Sequence, residues 1–167
     1  MKTSLFAKIL YATDMSDNAR EAADYALSLA RDYKAHLTVV NVMPDLVEEM
    51  SASLGYDLAV HYDEAKLKSF FKENLDESRE AVVQRIHTLC DEAGSRLDEC
   101  QIKPDVVIRV GKPVEQILIE AREGECDLIV VGAKGHSILD EILVGSVARG
   151  VMKKSHIPVL TIPLPKD

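Results

Sequence analysis

Three glycines and a serine hold the residue types and spacing that could do chemistry in this sequence. Gly132 follows the apolar run Leu128–Val131, Gly135 comes three residues later, and Gly145-Ser146 follows after nine more. Beyond Gly145 the apolar residues recur at helical spacing, so the stretch reads as strand, glycine loop and helix start. Glycine lacks the Cβ that would hold a ligand off the backbone, and it admits positive φ. Successive backbone N–H groups in such a loop can converge on an anion. A helix N-terminus adds unpaired N–H groups and the positive end of a dipole. The pattern is that of a phosphate cradle. Ser146 adds a hydroxyl, and Lys134 is either a counter-charge for phosphate or an ordinary loop lysine. His136 is open in the same way. Asp140 and Glu141, in the spacer, are either solvated or near a phosphate-bound cation.

Other phosphate and nucleophile signatures are absent. There is no G-x-x-x-x-G-K-[ST], no G-x-G-x-x-G after the first strand, and no G-x-S-x-G elbow. His36, His61, His87 and His156 have no partners at metal-ligand spacing. Cys90, Cys100 and Cys126 form no CxxC and read as reduced thiols of a cytosolic protein.

The elements that must position the cradle alternate. Phe6–Ala12 is a first strand, apolar at nearly every position and so suited to burial on both faces. Ser16 offers an N-cap, and Ala22, Ala23, Ala26, Leu27 and Ala30 place a helix over 17–33. His36–Val42 is a second strand. Residues 43–62, with Pro44, Ser51, Ser53 and Gly55, are expected to be an irregular insertion that could include a helical turn around Leu46–Met50. A long helical pattern covers 63–93, stopped by Gly94. Gln101–Val110 is a third strand, and Pro113 opens a helix that runs to about Glu123. Leu128–Val131 is the fourth strand, Gly145–Lys154 the last helix, and Ile157–Ile162 a fifth strand. Pro158 and Pro163 mark that strand as an edge or terminal one. Strands alternating with helices imply parallel βαβ units with right-handed crossovers.

The 167 residues fit one α/β domain, and the 47% hydrophobic content supplies a core with little aromatic contribution. The net charge of −8 argues against sequence-independent nucleic-acid binding and against docking on anionic lipid. No apolar run approaches the ~20 residues of a membrane span. The N-terminal residues, interrupted by Lys8, do not read as a signal peptide. A cytoplasmic location is expected.

Gly132-x2-Gly135-x9-Gly145-Ser146 resembles the nucleotide-binding signature of the universal stress protein family. Ile9–Asp14 resembles that family's first strand and Thr-Asp turn. Val110-Gly111-Lys112-Pro113, followed by Ile117, resembles its Gly-x-Pro helix start. The resemblance spans nearly the whole chain; residues 43–65 are unlike it, and Ala12 stands where nucleotide-binding members often carry proline. It implies a single doubly wound domain with a five-stranded parallel sheet of order 3-2-1-4-5, the adenine nucleotide alpha hydrolase-like arrangement. In that order growth reverses between strands one and four, and ligands bind at that crevice. The resemblance also implies ATP as ligand. Ala12 and Thr13 would supply backbone around the base, and Val42 would border the adenine unless it is plain core. Asp14 would contact the adenosine portion unless it is only a turn carboxylate. Gly132 and Gly135 would let the backbone approach ribose and phosphates, with Lys134 beside them. Gly145, Ser146 and Val147 would hold the distal phosphates.

These residues lead to an ATP-binding universal stress protein acting as a nucleotide-dependent switch or sensor, with Mg²⁺ or Mn²⁺ on the phosphates. The alternatives are a slow ATPase at the same site, for which no catalytic base stands out, and a dimeric interaction module that binds no nucleotide. A homodimer through the strand at 157–162 is expected, because that apolar edge would otherwise stay open. The protein partner of such a switch is not identified by these residues.

Overall fold

The computed structural model describes residues 5–96, 102–133 and 144–163. The elements are β1 (Lys8–Ala12), α1 (Asp17–Tyr33), β2 (His36–Met43), α2 (Leu46–Leu54), α3 (Leu58–His61) and α4 (Glu64–Arg96). They continue with β3 (Asp105–Val110), α5 (Pro113–Glu123), β4 (Leu128–Gly132), α6 (Ser146–Lys154) and β5 (Val159–Ile162). The five strands form one sheet in the order β3-β2-β1-β4-β5. Every pairing is parallel, with Ile9 opposite both Leu37 and Leu128.

Alternation along β1 divides the core in two. Ile9 and Tyr11 face one side, where Leu37, Val39 and Val130 join Ala22, Ala26 and Leu27 of α1 and Ile86 and Leu89 of α4. Leu10 and Ala12 face the other, where Val40, Ile129 and Val131 meet Ile117 and Ala121 of α5 and Ala148 and Val151 of α6. Ile9, Leu10 and Tyr11 are wholly buried. Burying a large aliphatic side chain is worth roughly 1.5–3 kcal/mol, so this central strand is a main anchor of the sheet. Asp127 aligns its start: one carboxylate oxygen accepts the N–H groups of Ala7 and Lys8 at 2.8 and 3.0 Å.

Arg109 on β3 ties the sheet to α5. Its guanidinium donates to Glu120 at 2.7 Å and also reaches Glu123. These bonds to Glu123 and Glu120 hold the Arg109 pKa above its usual value. Cys90 and Cys126 are buried free thiols, and burial pushes each up to about 11.

Several boundaries differ from the sequence reading. Residues 43–62, expected to be irregular, contain α2 and α3. Asp45 caps α2 by accepting the N–H groups of Val47 and Glu48, each at 3.1 Å, and Gly55 closes it at φ 73°. Both ends are thus satisfied locally, which hydrophobic periodicity cannot register. Helix α4 runs through Gly94 to Arg96, because Ala93 and Gly94 are buried and packing overrides the weak stop signal. Strands β1, β3 and β5 begin at Lys8, Asp105 and Val159, later than the expected starts at Phe6, Gln101 and Ile157. Ser16 sits at the N-cap of α1, but its hydroxyl makes no capping bond. Cys100 and Gln101 lie outside the described residues, as do the side chains of Leu67, Phe70, Phe71 and Leu75.

Helix α6 packs tightly on α5. A Cβ added at Gly150 would sit 2.7 Å from Val114 Cγ2. Gly150→Val therefore lowers stability by about 1–3 kcal/mol, despite removing a helix glycine, and urea denaturation measures the loss.

Candidate functional site

The site lies where β1 and β4 end. Because β2 and β4 flank β1, the crossovers leave their C-terminal ends on opposite faces of the sheet and open a crevice between them. A cavity of about 350 Å³ fills it. Its walls bring together Ala12, Thr13 and Asp14 after β1, Val42 of β2, Gly132 of β4, and Gly145, Ser146 and Val147 at the start of α6. Eight of the ten residues singled out from the sequence therefore share one cavity, although Ala12 and Val147 are more than a hundred positions apart. Lys134 and Gly135 lie outside the described residues, as do His136, Asp140 and Glu141.

The β1–α1 turn is held from both sides. The Asn41 side-chain amide, buried on β2, donates to the Thr13 carbonyl at 2.8 Å. The Thr13 N–H donates to the Val40 carbonyl at 3.0 Å. Thr13 Oγ1 accepts the Met15 N–H, and Asp14 Oδ1 accepts the Ser16 N–H, both at 3.0 Å. These side chains fix the turn that precedes α1 rather than capping the helix itself. They hold Met15 at φ 61°, a conformation non-glycine residues adopt rarely. The Tyr11 hydroxyl donates to the Ala19 carbonyl, fixing α1 over the end of β1. Burial raises the Tyr11 pKa, so the phenol stays protonated and keeps donating.

The opposite wall is main chain. The Ala133 N–H donates to the Ile162 carbonyl at 2.7 Å, and the Gly145 N–H donates back to the Ala133 carbonyl at 2.6 Å. This second bond closes the neck of the segment between them. Gly145 has φ −67° and ψ 165°, so its torsions suit any residue; its contribution is an absent side chain at the mouth of α6. The first-turn N–H groups of a helix have no intrahelical acceptor. Those of α6 begin at Ser146, on the cavity wall.

Sequence reasoning missed the third wall. Pro113 and Ile117 of α5 line the cavity beside Val42, as do Val40, Val131, Ala133, Ala148 and Ala19. The signal was present in the crossover rule, since α5 connects β3 to β4 and must pass over the crevice. Gly111 makes the approach possible at φ 129°, and its N–H donates to the Met43 carbonyl at 2.9 Å. Among the described lining residues Asp14 is the only charged one. No group of three His, Cys, Asp or Glu among the described residues could hold a metal. The cavity thus offers apolar walls from Val42, Pro113 and Ile117, one carboxylate, and a helix N-terminus.

A doubly wound sheet of this order, with its crevice walled by a strand-end turn and a helix N-terminus, defines a class of nucleotide-fold proteins. The family model for the universal stress protein family matches residues 5–163, and the chain belongs to that family. The universal stress protein YxiE of Bacillus subtilis is 31% identical over 95% of this chain and 99% of its own length. The universal stress protein MJ0577 of Methanocaldococcus jannaschii is 28% identical over 95% of each chain. A solved structure of MJ0577 superposes with a TM-score of 0.72, covering 98% of this chain and 99% of its own. The same fold, at 22% identity and a TM-score of 0.59, occurs in an Archaeoglobus fulgidus universal stress protein solved with dAMP. It covers 95% of this chain and 98% of its own. A universal stress protein solved with cAMP has the same identity and TM-score, over 96% of this chain and 98% of its own. No helix among the described residues is long and apolar enough to cross a membrane.

Asn41 supports the turn without lining the cavity. Asn41→Ala leaves the buried Thr13 carbonyl without its donor and destabilises the fold by about 1–3 kcal/mol. The amide resonances of Asp14 and Met15 shift with it, which NMR of the variant against the wild type reads directly.

Proposed function

We propose that this protein binds ATP in the crevice, with Mg²⁺ or Mn²⁺ on the phosphates, and acts as a nucleotide-dependent switch or sensor. The observation that carries the reading is the single cavity joining the Thr13-Asp14 turn to the start of α6. Its volume of about 350 Å³ lies within the ~300–1,000 Å³ of small-molecule sites. Adenine fits the slot formed by Val42, Pro113 and Ile117, with the backbone of Ala12 and Thr13 at its edge. The Asp14 carboxylate can accept from a ribose hydroxyl. Gly132 and Gly135 admit the sugar and phosphates close to the main chain. The N–H groups at Ser146 and Val147, beyond Gly145, receive the distal phosphates, where the helix dipole favours negative charge. Lys134 adds a cation to the same end. The dAMP and cAMP held by two proteins of this fold are adenine nucleotides, which supports adenine as the base.

With no described metal-ligand cluster, the divalent cation comes with the phosphates, and it supplies charge neutralisation there. Hydrolysis would need a group that positions water near the last phosphate. Asp14 is the one described carboxylate on the cavity wall, and the turn it caps, accepting the Ser16 N–H, together with its expected place at the ribose leaves no described base for the last phosphate. ATP can switch the protein only through unequal affinity for two states. The element proposed to respond is the Gly132–Gly145 loop, whose described ends, Ala133 and Gly145, line the cavity. Buried thiols and the absence of a membrane-length helix among the described residues support a cytoplasmic setting.

Acid extraction and chromatography of the purified protein should release adenine nucleotide, and calorimetry with Mg²⁺ should show ATP binding. Ser146→Ala should weaken that binding by about 1.5 kcal/mol, roughly tenfold, by removing a hydroxyl donor to charged phosphate. No released nucleotide together with no calorimetric heat would remove the reading.

A homodimer through β5 is part of the same proposal. β5 is an edge strand whose Pro158 and Ile162 carbonyls accept from β4. By alternation, the backbone groups of Val159 and Thr161 point to the open edge. Thr161→Pro removes an outward N–H and leaves the β4 ladder intact. Sedimentation should then show a folded monomer where the wild type is a dimer; an unchanged dimer would place the interface elsewhere.

A further inference from the structure

We infer that the outer face of α2 and α3 is a docking surface for a basic amphipathic helix. Helix α2 has no buried residue. Its Leu46, Met50 and Leu54 are 39%, 43% and 51% exposed and recur every four residues, so they form one continuous ridge. Tyr56, Val60 and Tyr62 extend the apolar surface along the next segment at 42%, 75% and 57% exposure. Side chains of this size, so exposed, make up a patch of the kind that marks an interaction site.

The segment is built to stand without burial. Nine residues fall short of the ~12–15 at which an isolated helix becomes even marginally stable. Local bonds hold it instead. Asp45 caps one end and Gly55 the other, Ser51 Oγ accepts the Leu58 N–H at 3.1 Å, and Tyr56 stacks edge-on against His61. Glu48 reaches Lys112 at 3.7 Å, beside the N-terminus of α5. The apolar ridge is thereby kept in shape while remaining in water.

Charge selects the occupant. Between residues 44 and 63 there are five carboxylates, Asp45, Glu48, Glu49, Asp57 and Asp63, and no lysine or arginine. Glu48, Glu49, Asp57 and Asp63 are exposed, and although Glu48 meets Lys112 and Asp63 accepts the Ala65 N–H, the segment keeps an excess of negative charge. An apolar stripe with an acidic rim is complementary to a helix with Leu-type residues on one face and Lys or Arg on its flanks. A four-residue ridge is also the surface that meshes with the ridges of another helix. A second copy of this chain would set the same carboxylates against each other, and an anionic bilayer would repel them. The inference is separate from nucleotide binding, since none of these six apolar side chains lines the cavity.

The test uses the full chain and a fluorescent Leu/Lys peptide patterned to form an amphipathic helix. Anisotropy should show binding that falls by at least about tenfold in Met50→Gln/Leu54→Gln, a helix-compatible pair. Glu49→Gln should weaken it less and reduce its salt dependence. Far-UV circular dichroism and urea denaturation should show the variants folded as the wild type. A scrambled peptide of the same composition, with no apolar face, should bind at least about tenfold more weakly. Equal binding of the scrambled peptide, equal binding of a Leu/Glu peptide, or undiminished binding by the double variant would each overturn the inference. It would also fall if the double variant lost a dimer that Thr161→Pro retains, which would make the occupant a second copy. Binding of wild type to anionic vesicles that the double variant loses would do the same in favour of a membrane.

Discussion

A parallel sheet that grows outward in both directions from one strand must leave a gap at that strand's end. Here the strand is β1, with β2 on one side and β4 on the other. Its first helix goes to one face, while α5 and α6 cover the other, so nothing in the crossovers themselves fills the space beyond Ala12. Everything at the site follows from how firmly that gap is framed. β1 is buried on both faces and cannot shift without opening the core. The turn that leaves it is pinned by the Asn41 amide and by Thr13 and Asp14 themselves. The far side is framed by the Ala133 bonds to Ile162 and Gly145. The cavity is a property of the sheet's topology, framed by side-chain bonds at the β1–α1 turn and by main-chain bonds at Ala133.

The electrostatics of the gap differ from those of the surface. The chain carries a net charge of −8. The described cavity walls hold a single carboxylate, an apolar slot and the positive end of a short helix. Attraction for an anion is therefore local, from oriented amides rather than from a basic patch. Such dipoles are fixed by the backbone itself. Helix α5 contributes by position rather than by charge: Arg109 fixes it through Glu120 and Glu123, away from the cavity wall, and Ile117 is carried into place one turn earlier on that helix.

Much of this was legible in the sequence, for identifiable reasons. Helix α1 was read to its true ends because its alanines repeat cleanly and face a sheet that needs small residues. The glycine spacing and the Thr13-Asp14 turn pointed to the same crevice, and eight of those ten residues line it. What failed to register was stability that does not come from periodicity. α2 depends on Asp45 and Gly55 at its ends, not on a buried face, so its sequence looks irregular. α4 passes a glycine because the neighbouring alanine is buried against the core. Pro113 and Ile117 were noticed as a helix start, yet their place on the cavity wall depends on where the crossover lands. Gly145 was read as an N–H donor to phosphate, but its N–H is bonded to the Ala133 carbonyl and its torsions are ordinary, so what it offers the cavity is its missing side chain.

The bond from the Gly145 amide to the Ala133 carbonyl has a bearing on how such a chain diversifies. A segment that departs and returns through one hydrogen-bonded pair loads the sheet at a single point, whatever its length. Loop-closure entropy rises only with the logarithm of length, by about 0.6 kcal/mol per doubling. Insertions or deletions between those two residues would leave the strand ladder and the last helix in register. Descendants of this fold can therefore alter the length of that span almost independently of the scaffold that carries it.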